Sequence, residues 1–184
     1  LSVLSPKIFH SGSRPGAGDI YIDGAGHFEI KASVAKPGRL FDGRKAKVDM
    51  NTIQNIRDQL KIEKTRVNLK DLIAANPKQE QVVALAKSIF RHVGDNVAGF
   101  VNAIMKKDEA SAKLEHTKLA YTNYQTMSAA GEDKFVGIIF MSLTGKWSNV
   151  IRNIDELVQN LAVGTIYVAS PDQADLFPQT TFKF

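Results

Sequence analysis

Two hydrophobic periods divide this chain. Over residues 18–33, GDIYIDGAGHFEIKAS, apolar and polar side chains alternate, the two-residue period of a strand resting on a core. Ile20, Ile22, Phe28 and Ile30 fall on one face, and Asp19, Tyr21, Glu29 and Lys31 on the other. Asp23-Gly24-Ala25-Gly26 supplies the hairpin turn, because glycine accepts the positive φ that a tight connection requires. From residue 50 the period becomes helical, with Met50, Ile53, Ile56 and Leu60 on one stripe. A short helix is predicted over 69–75, stopped by Asn76-Pro77. Val82, Val83, Leu85, Ala86, Ile89, Phe90 and Val93 mark an amphipathic helix broken at Gly94. Val97, Phe100, Val101, Ile104 and Met105 mark another, and residues 109–127 a third, with Leu114, Tyr121 and Tyr124 inward.

Strand character returns at FVGIIFMS, residues 135–142, an unbroken apolar run that fits a strand covered on both faces. VIRNIDELVQNLA, residues 150–162, predicts a helix ended by Gly164, and TIYVAS, residues 165–170, a second buried strand. The tail PDQADLFPQTTFKF reads as irregular or as an edge segment, and HSGSRPGAG, residues 10–18, as a loop. The order hairpin, helical block, strand, helix, strand predicts an α/β fold with a small mixed sheet flanked by helices. A parallel crossover needs only about a dozen residues. The stretch 50–128 is therefore predicted to be a helical insertion or subdomain within one domain spanning 1–184.

Length and composition fit that reading. The 184 residues are 43% hydrophobic, enough for a core. Without cysteine there are no disulfides and no thiolate metal sites. No apolar run reaches the length of a membrane span, so no membrane partner is expected. Neither does LSVLSPKIF read as a signal peptide, which points to a cytoplasmic or nucleoid-associated protein. Beginning on Leu1 rather than Met, the chain reads as a trimmed or processed form, or as part of something longer. The net charge of +5 and pI near 9.4 lean toward anionic partners such as nucleic acid. Lys31, Lys36, Arg39, Arg44, Lys45 and Lys47 face only Asp42 between residues 31 and 47. That stretch is either a solvated link or a set of phosphate contacts, Arg39 and Arg44 being best suited to grip phosphate.

The charged face of the hairpin carries the candidate chemistry. With the turn centred on Gly24, Asp19 lies opposite Glu29, with Cβ atoms about 5 Å apart. Two carboxylates that close repel unless a cation lies between them, and hard oxygen donors suit Mg²⁺ or Mn²⁺. Lys31, two residues on, is placed to stabilise charge developing on a phosphate, or to orient or deprotonate an attacking water. The plainer alternative is a solvated hairpin face with cross-strand charge pairs.

Asp19, then Glu29-Ile30-Lys31, behind the Gly-rich stretch HSGSRPGAGD, resembles the PD-(D/E)xK nuclease superfamily, which includes restriction endonucleases and Holliday junction resolvases. The resemblance covers residues 10–33 by motif. It implies a restriction-endonuclease-like fold, Asp19 and Glu29 as metal ligands, the Ile30 carbonyl as a further ligand, and Lys31 as the catalytic lysine. It departs from the family at Gly18, where the motif has proline, and the family's preceding helix would have to lie before Leu1. The function so implied is Mg²⁺-dependent hydrolysis of DNA phosphodiester bonds, with a homodimer for duplex cutting. Ser13, Arg14, Lys36, Arg39, Arg44, Lys45 and Lys47 would contact DNA, and phage or bacterial origin would fit. The alternative is a DNA-binding or structural protein of nuclease fold without turnover, such as a phage or assembly component.

Overall fold

A computed structural model describes residues 8–10, 19–33, 49–63, 69–91, 93–128, 135–142, 148–162, 166–172 and 177–182. The strands are β1 (Ile8–His10), β2 (Ile20–Ile22), β3 (Gly26–Ser33), β4 (Phe135–Ser142), β5 (Ser148–Ile151), β6 (Ile166–Asp172) and β7 (Phe177–Phe182). The helices are α1 (Met50–Gln59), α2 (Leu69–Ala74), α3 (Gln79–Ile89), α4 (Ala98–Met105), α5 (Glu109–Ser128) and α6 (Ile154–Ala162). The fold is mixed α/β. Two compact units are present: one holds β1–β5, α6 and α5 from Tyr124, the other α1–α4 and α5 up to Asn123.

In the first unit, β1 to β5 form one sheet in sequence order. Only β3 and β4 pair in parallel; the other neighbours are antiparallel. The hairpin turns where the glycines predict, with Gly24 at φ +74° and the Ala25 amide donating to the Ile22 carbonyl at 2.9 Å. Of its apolar face, Ile20 and Phe28 are buried, whereas Ile22 and Ile30 are half-buried. On β4, Ile138 and Phe140 are fully buried and Ile139 and Met141 half-buried. The run FVGIIFMS is thus more asymmetric than a strand covered equally on both faces.

Gly137 marks a close approach between β4 and the end of β5. A Cβ there would lie 2.5 Å from the Ile151 carbonyl oxygen and 3.1 Å from Arg152 Cα. Backbone cannot swing aside as a side-chain tip can, so Gly137→Ala is expected to lower stability by about 1–3 kcal/mol, read as a shift in the urea midpoint.

Several boundaries differ from those predicted. Residues 150 and 151 belong to β5, and α6 starts at Ile154. Asn153 sets that start: its side chain accepts from the Glu156 amide at 2.9 Å while Glu156 reaches back to the Arg152 amide at 2.7 Å. The residues of β6 join β7 in a separate two-stranded sheet, so the TIYVAS strand is not part of the main one and the tail is in part a strand. His10 ends β1 instead of opening a loop. Helix α3 stops at Ile89, before Gly94, with Phe90 leaving helical geometry at ψ 66°.

The helical unit buries Ile53 and Ile56 of α1, Leu72 of α2, Val82, Leu85 and Ile89 of α3, Phe100 and Ile104 of α4, and Leu119 and Tyr121 of α5. His116 lies in this core with its ring centroid 5.3 Å from Phe90 and 5.6 Å from Phe100. Gln81 joins two helices, donating to the Gln59 side chain at 2.9 Å.

The same capping pattern starts α1 and α5. Asp49 accepts from the Thr52 hydroxyl at 2.8 Å and the Thr52 amide at 3.2 Å; Asp108 accepts from the Ser111 hydroxyl at 2.7 Å and the Ser111 amide at 3.0 Å. These bonds, the hydroxyl's foremost, hold both carboxyl groups below the ordinary value of 3.8. A group whose folded pKa is depressed stabilises the fold above that ordinary value, and its contribution fades as the pH falls through the lower, folded one. Asp49→Ala and Asp108→Ala are each expected to lower the melting temperature at pH 7. The gap to the parent protein should narrow as the pH is taken below 3.8, as thermal melts across a pH series would record.

Candidate active site on the β2–β3 hairpin

The hairpin register ends one residue short of the two candidate carboxylates. Ile20 pairs with Phe28, Tyr21 with His27 and Ile22 with Gly26. Extended by one residue, that register would face Asp19 with Glu29, but Asp19 lies in a bend before β2. Asp19 stands just before β2 and is exposed; its Oδ2 accepts from the Ile30 amide at 2.8 Å. The carboxylate thereby takes a ladder position at the point where β2 has not yet begun. Within a strand, one residue's N–H and C=O point to the same side. The Ile30 carbonyl is therefore directed to the β2 side of β3, as the Asp19 carboxylate is.

A gradient of burial crosses the sheet at this row. Asp19 is exposed, Glu29 half-buried, and Ile138 and Ile151, next in register on β4 and β5, are fully buried. The carboxylates thus sit at the margin of an apolar surface, where desolvation strengthens interaction with a cation. Lys31 lies on β3 two residues beyond Glu29, in register with Phe140. Ser13, Arg14, Lys36, Arg39, Arg44, Lys45 and Lys47 lie outside the described residues.

Among the described residues no three His, Asp or Glu side chains are grouped so as to hold a metal ion by themselves. The donor set at the hairpin nevertheless suits Mg²⁺, which takes one or two carboxylates and completes its octahedron with water and substrate phosphate oxygens. Asp19, Glu29 and the Ile30 carbonyl would be its protein donors.

One row nearer the turn, Tyr21 and His27 are in ring contact, centroids 4.9 Å apart and planes tilted by 50°. His27 is buried and Tyr21 half-buried. From the sequence, Tyr21 reads as a packing residue and His27 attracts no notice. The signal is available all the same, since positions 21 and 27 are equally distant from Gly24 and must face one another. Among the described residues no helix is long and apolar enough to cross a membrane. Comparison with protein-family models, with curated proteins and with solved structures finds no match to this chain.

Proposed function

We propose that the chain is a metal-dependent DNA endonuclease of restriction-endonuclease-like fold, with its active site on the β2–β3 hairpin. The observation that supports this reading is the bond from the Ile30 amide to the Asp19 carboxylate, which brings Asp19 to β3 next to Glu29 in the chain. A pairing of like charges is a poor choice for stability alone, and it becomes useful when a cation is shared. Support also comes from the parallel pairing of β3 with β4, which ties the hairpin into a sheet.

Bound between these donors, Mg²⁺ or Mn²⁺ would supply a more acidic water and counter-charge for the scissile phosphate. Asp19 holds an oxygen at the β2 side of β3, and Glu29 would add its own carboxylate. Lys31 orients the attacking water or meets the negative charge that builds on phosphorus. The attacking water gives up a proton to solvent as its oxygen bonds to phosphorus, the P–O bond to the leaving sugar oxygen breaks, and that oxygen takes up a proton from solvent. The basic residues of 36–47, with Ser13 and Arg14, would grip the backbone.

A second reading has its own observation. Asp19 already serves the fold by accepting the Ile30 amide, which suits a DNA-binding or structural protein without turnover. Incubating the protein with linear, single-stranded and branched DNA in Mg²⁺, Mn²⁺ and EDTA separates the two. Cleavage that requires metal and falls about a thousandfold in Glu29→Gln is expected. Binding without cleavage on all three substrates would favour the second reading.

A further inference from the structure

The turn of the hairpin carries chemistry of its own. Asp23 and Gly24 are its two central residues: the Ala25 amide closes the turn on the Ile22 carbonyl at 2.9 Å, and Gly24 stands at φ +74°. We propose that Asp23-Gly24 is a self-modification site, where side chain and backbone close to a succinimide that reopens as isoaspartate and loosens the β2–β3 hairpin. The proposal is independent of the nuclease reading, since it needs neither metal nor DNA.

The step balances with water as the only co-reactant. The Gly24 nitrogen bonds to Asp23 Cγ, and the hydroxyl of the protonated carboxyl group leaves with the amide proton as water. Water then adds to either carbonyl of the ring. If the bond from the Gly24 nitrogen to Cγ breaks, aspartate is restored; if its bond to the Asp23 backbone carbonyl breaks, the chain runs on through Cγ as isoaspartate. Nothing is oxidised or reduced.

Three features of the turn admit this reaction. Asp23, Gly24 and Ala25 are all exposed, so water reaches the ring. Among the described residues the Gly24 amide donates no backbone hydrogen bond, so its peptide plane can rotate toward the Asp23 side chain without breaking the ladder. A Cβ built on Gly24 would meet nothing within 4 Å, which leaves room for the ring, and glycine itself puts no side chain beside the attacking nitrogen. Asp19 supplies the contrast. It is exposed too, but the residue after it, Ile20, is β-branched, buried and paired on both sides, with His10 of β1 and Phe28 of β3. The product matters because turn type and loop length set hairpin register. Isoaspartate adds one carbon to the main chain between Ile22 and Gly24. The bond from Ala25 to Ile22 and the pairing of Ile22 with Gly26 are disturbed first, and the Ile30 amide's bond to Asp19, at the open end of the hairpin, loosens with them.

To test this, the full chain is kept for weeks at neutral pH and body temperature, then digested and read by electron-transfer fragmentation, which tells an isoaspartyl from an aspartyl backbone. Isoaspartate is expected to accumulate at Asp23 many-fold above Asp19. Asp23→Glu, which would need a larger and slower-forming ring, should show none at that position. Asp23→Asn closes the same ring with loss of ammonia and should accumulate isoaspartate faster than the parent. In the aged fraction that carries the modification, the Ile30 amide is expected to exchange hydrogen faster and the melting temperature to fall. Aged Asp23→Glu, which still holds the chain's other Asp-Gly pair at 42–43, should keep the parent's values. An unmodified Asp23 in the native protein, or isoaspartate that forms there only in urea, would overturn the proposal. So would an isoaspartyl fraction whose Ile30 amide exchanges at the parent's rate.

Discussion

Asp19→Asn is expected to melt at the temperature of the parent protein and to cleave DNA about a thousandfold more slowly. The two halves of that expectation come from different parts of one carboxylate's work. Its structural task is to accept the Ile30 amide at 2.8 Å, and an asparagine side-chain carbonyl accepts the same bond. Its proposed chemical task is to bring a negative oxygen to a divalent cation, which a neutral amide does poorly. Asp19→Ala removes both and should lose stability as well as activity. Thermal melting and single-turnover cleavage on one preparation give the two readouts. Were Asp19→Asn to cut as fast as the parent, Asp19 would be a strand cap and the metal would have to be held elsewhere.

Phe140→Ala is expected to cost about 3–5 kcal/mol, the range for emptying a buried aromatic site in a core. Phe140 is fully buried in the middle of β4, paired in register with Lys31 on one side and Asn149 on the other. A central strand fixed by neighbours on both edges cannot collapse far into the void, so the upper part of the range applies. Ile139→Ala, one residue away but half-buried, should cost clearly less. Urea denaturation followed by circular dichroism measures both. A loss below about 1 kcal/mol for Phe140 would mean that the face of the sheet bearing Ile138 and Phe140 is not the packed one.

Much of this architecture can be read from periodicity. FVGIIFMS gives β4 because a long β-rich apolar run has no competing helical stripe, and Asn76-Pro77 ends α2 because proline's ring excludes a continuing helix. Errors arise where two periods overlap. Val150 and Ile151 fit the apolar stripe of Ile154 and Leu157, so the pattern runs β5 into α6; the Asn153 and Glu156 capping signature is the local cue that separates them. Pairing partners are less visible than elements. Nothing in TIYVAS tells that it joins the segment after it and not β4, because an apolar strand satisfies either neighbour. At the candidate site, Tyr21 against His27 follows from turn symmetry alone. The Asp19 bond to the Ile30 amide does not, since it depends on where β2 starts.

The parallel seam between β3 and β4 joins strands separated by about a hundred residues of chain, and closing so long a loop is slow compared with forming a hairpin. During synthesis β3 emerges well before its partner and waits with one row of amides and carbonyls unmatched. Compaction of α1 to α5 in that interval shortens the gap that β4 must bridge. Lesions in the helical core, far from the carboxylates along the chain, would therefore delay completion of the sheet and lengthen the time for which β3 offers an adhesive edge to other molecules.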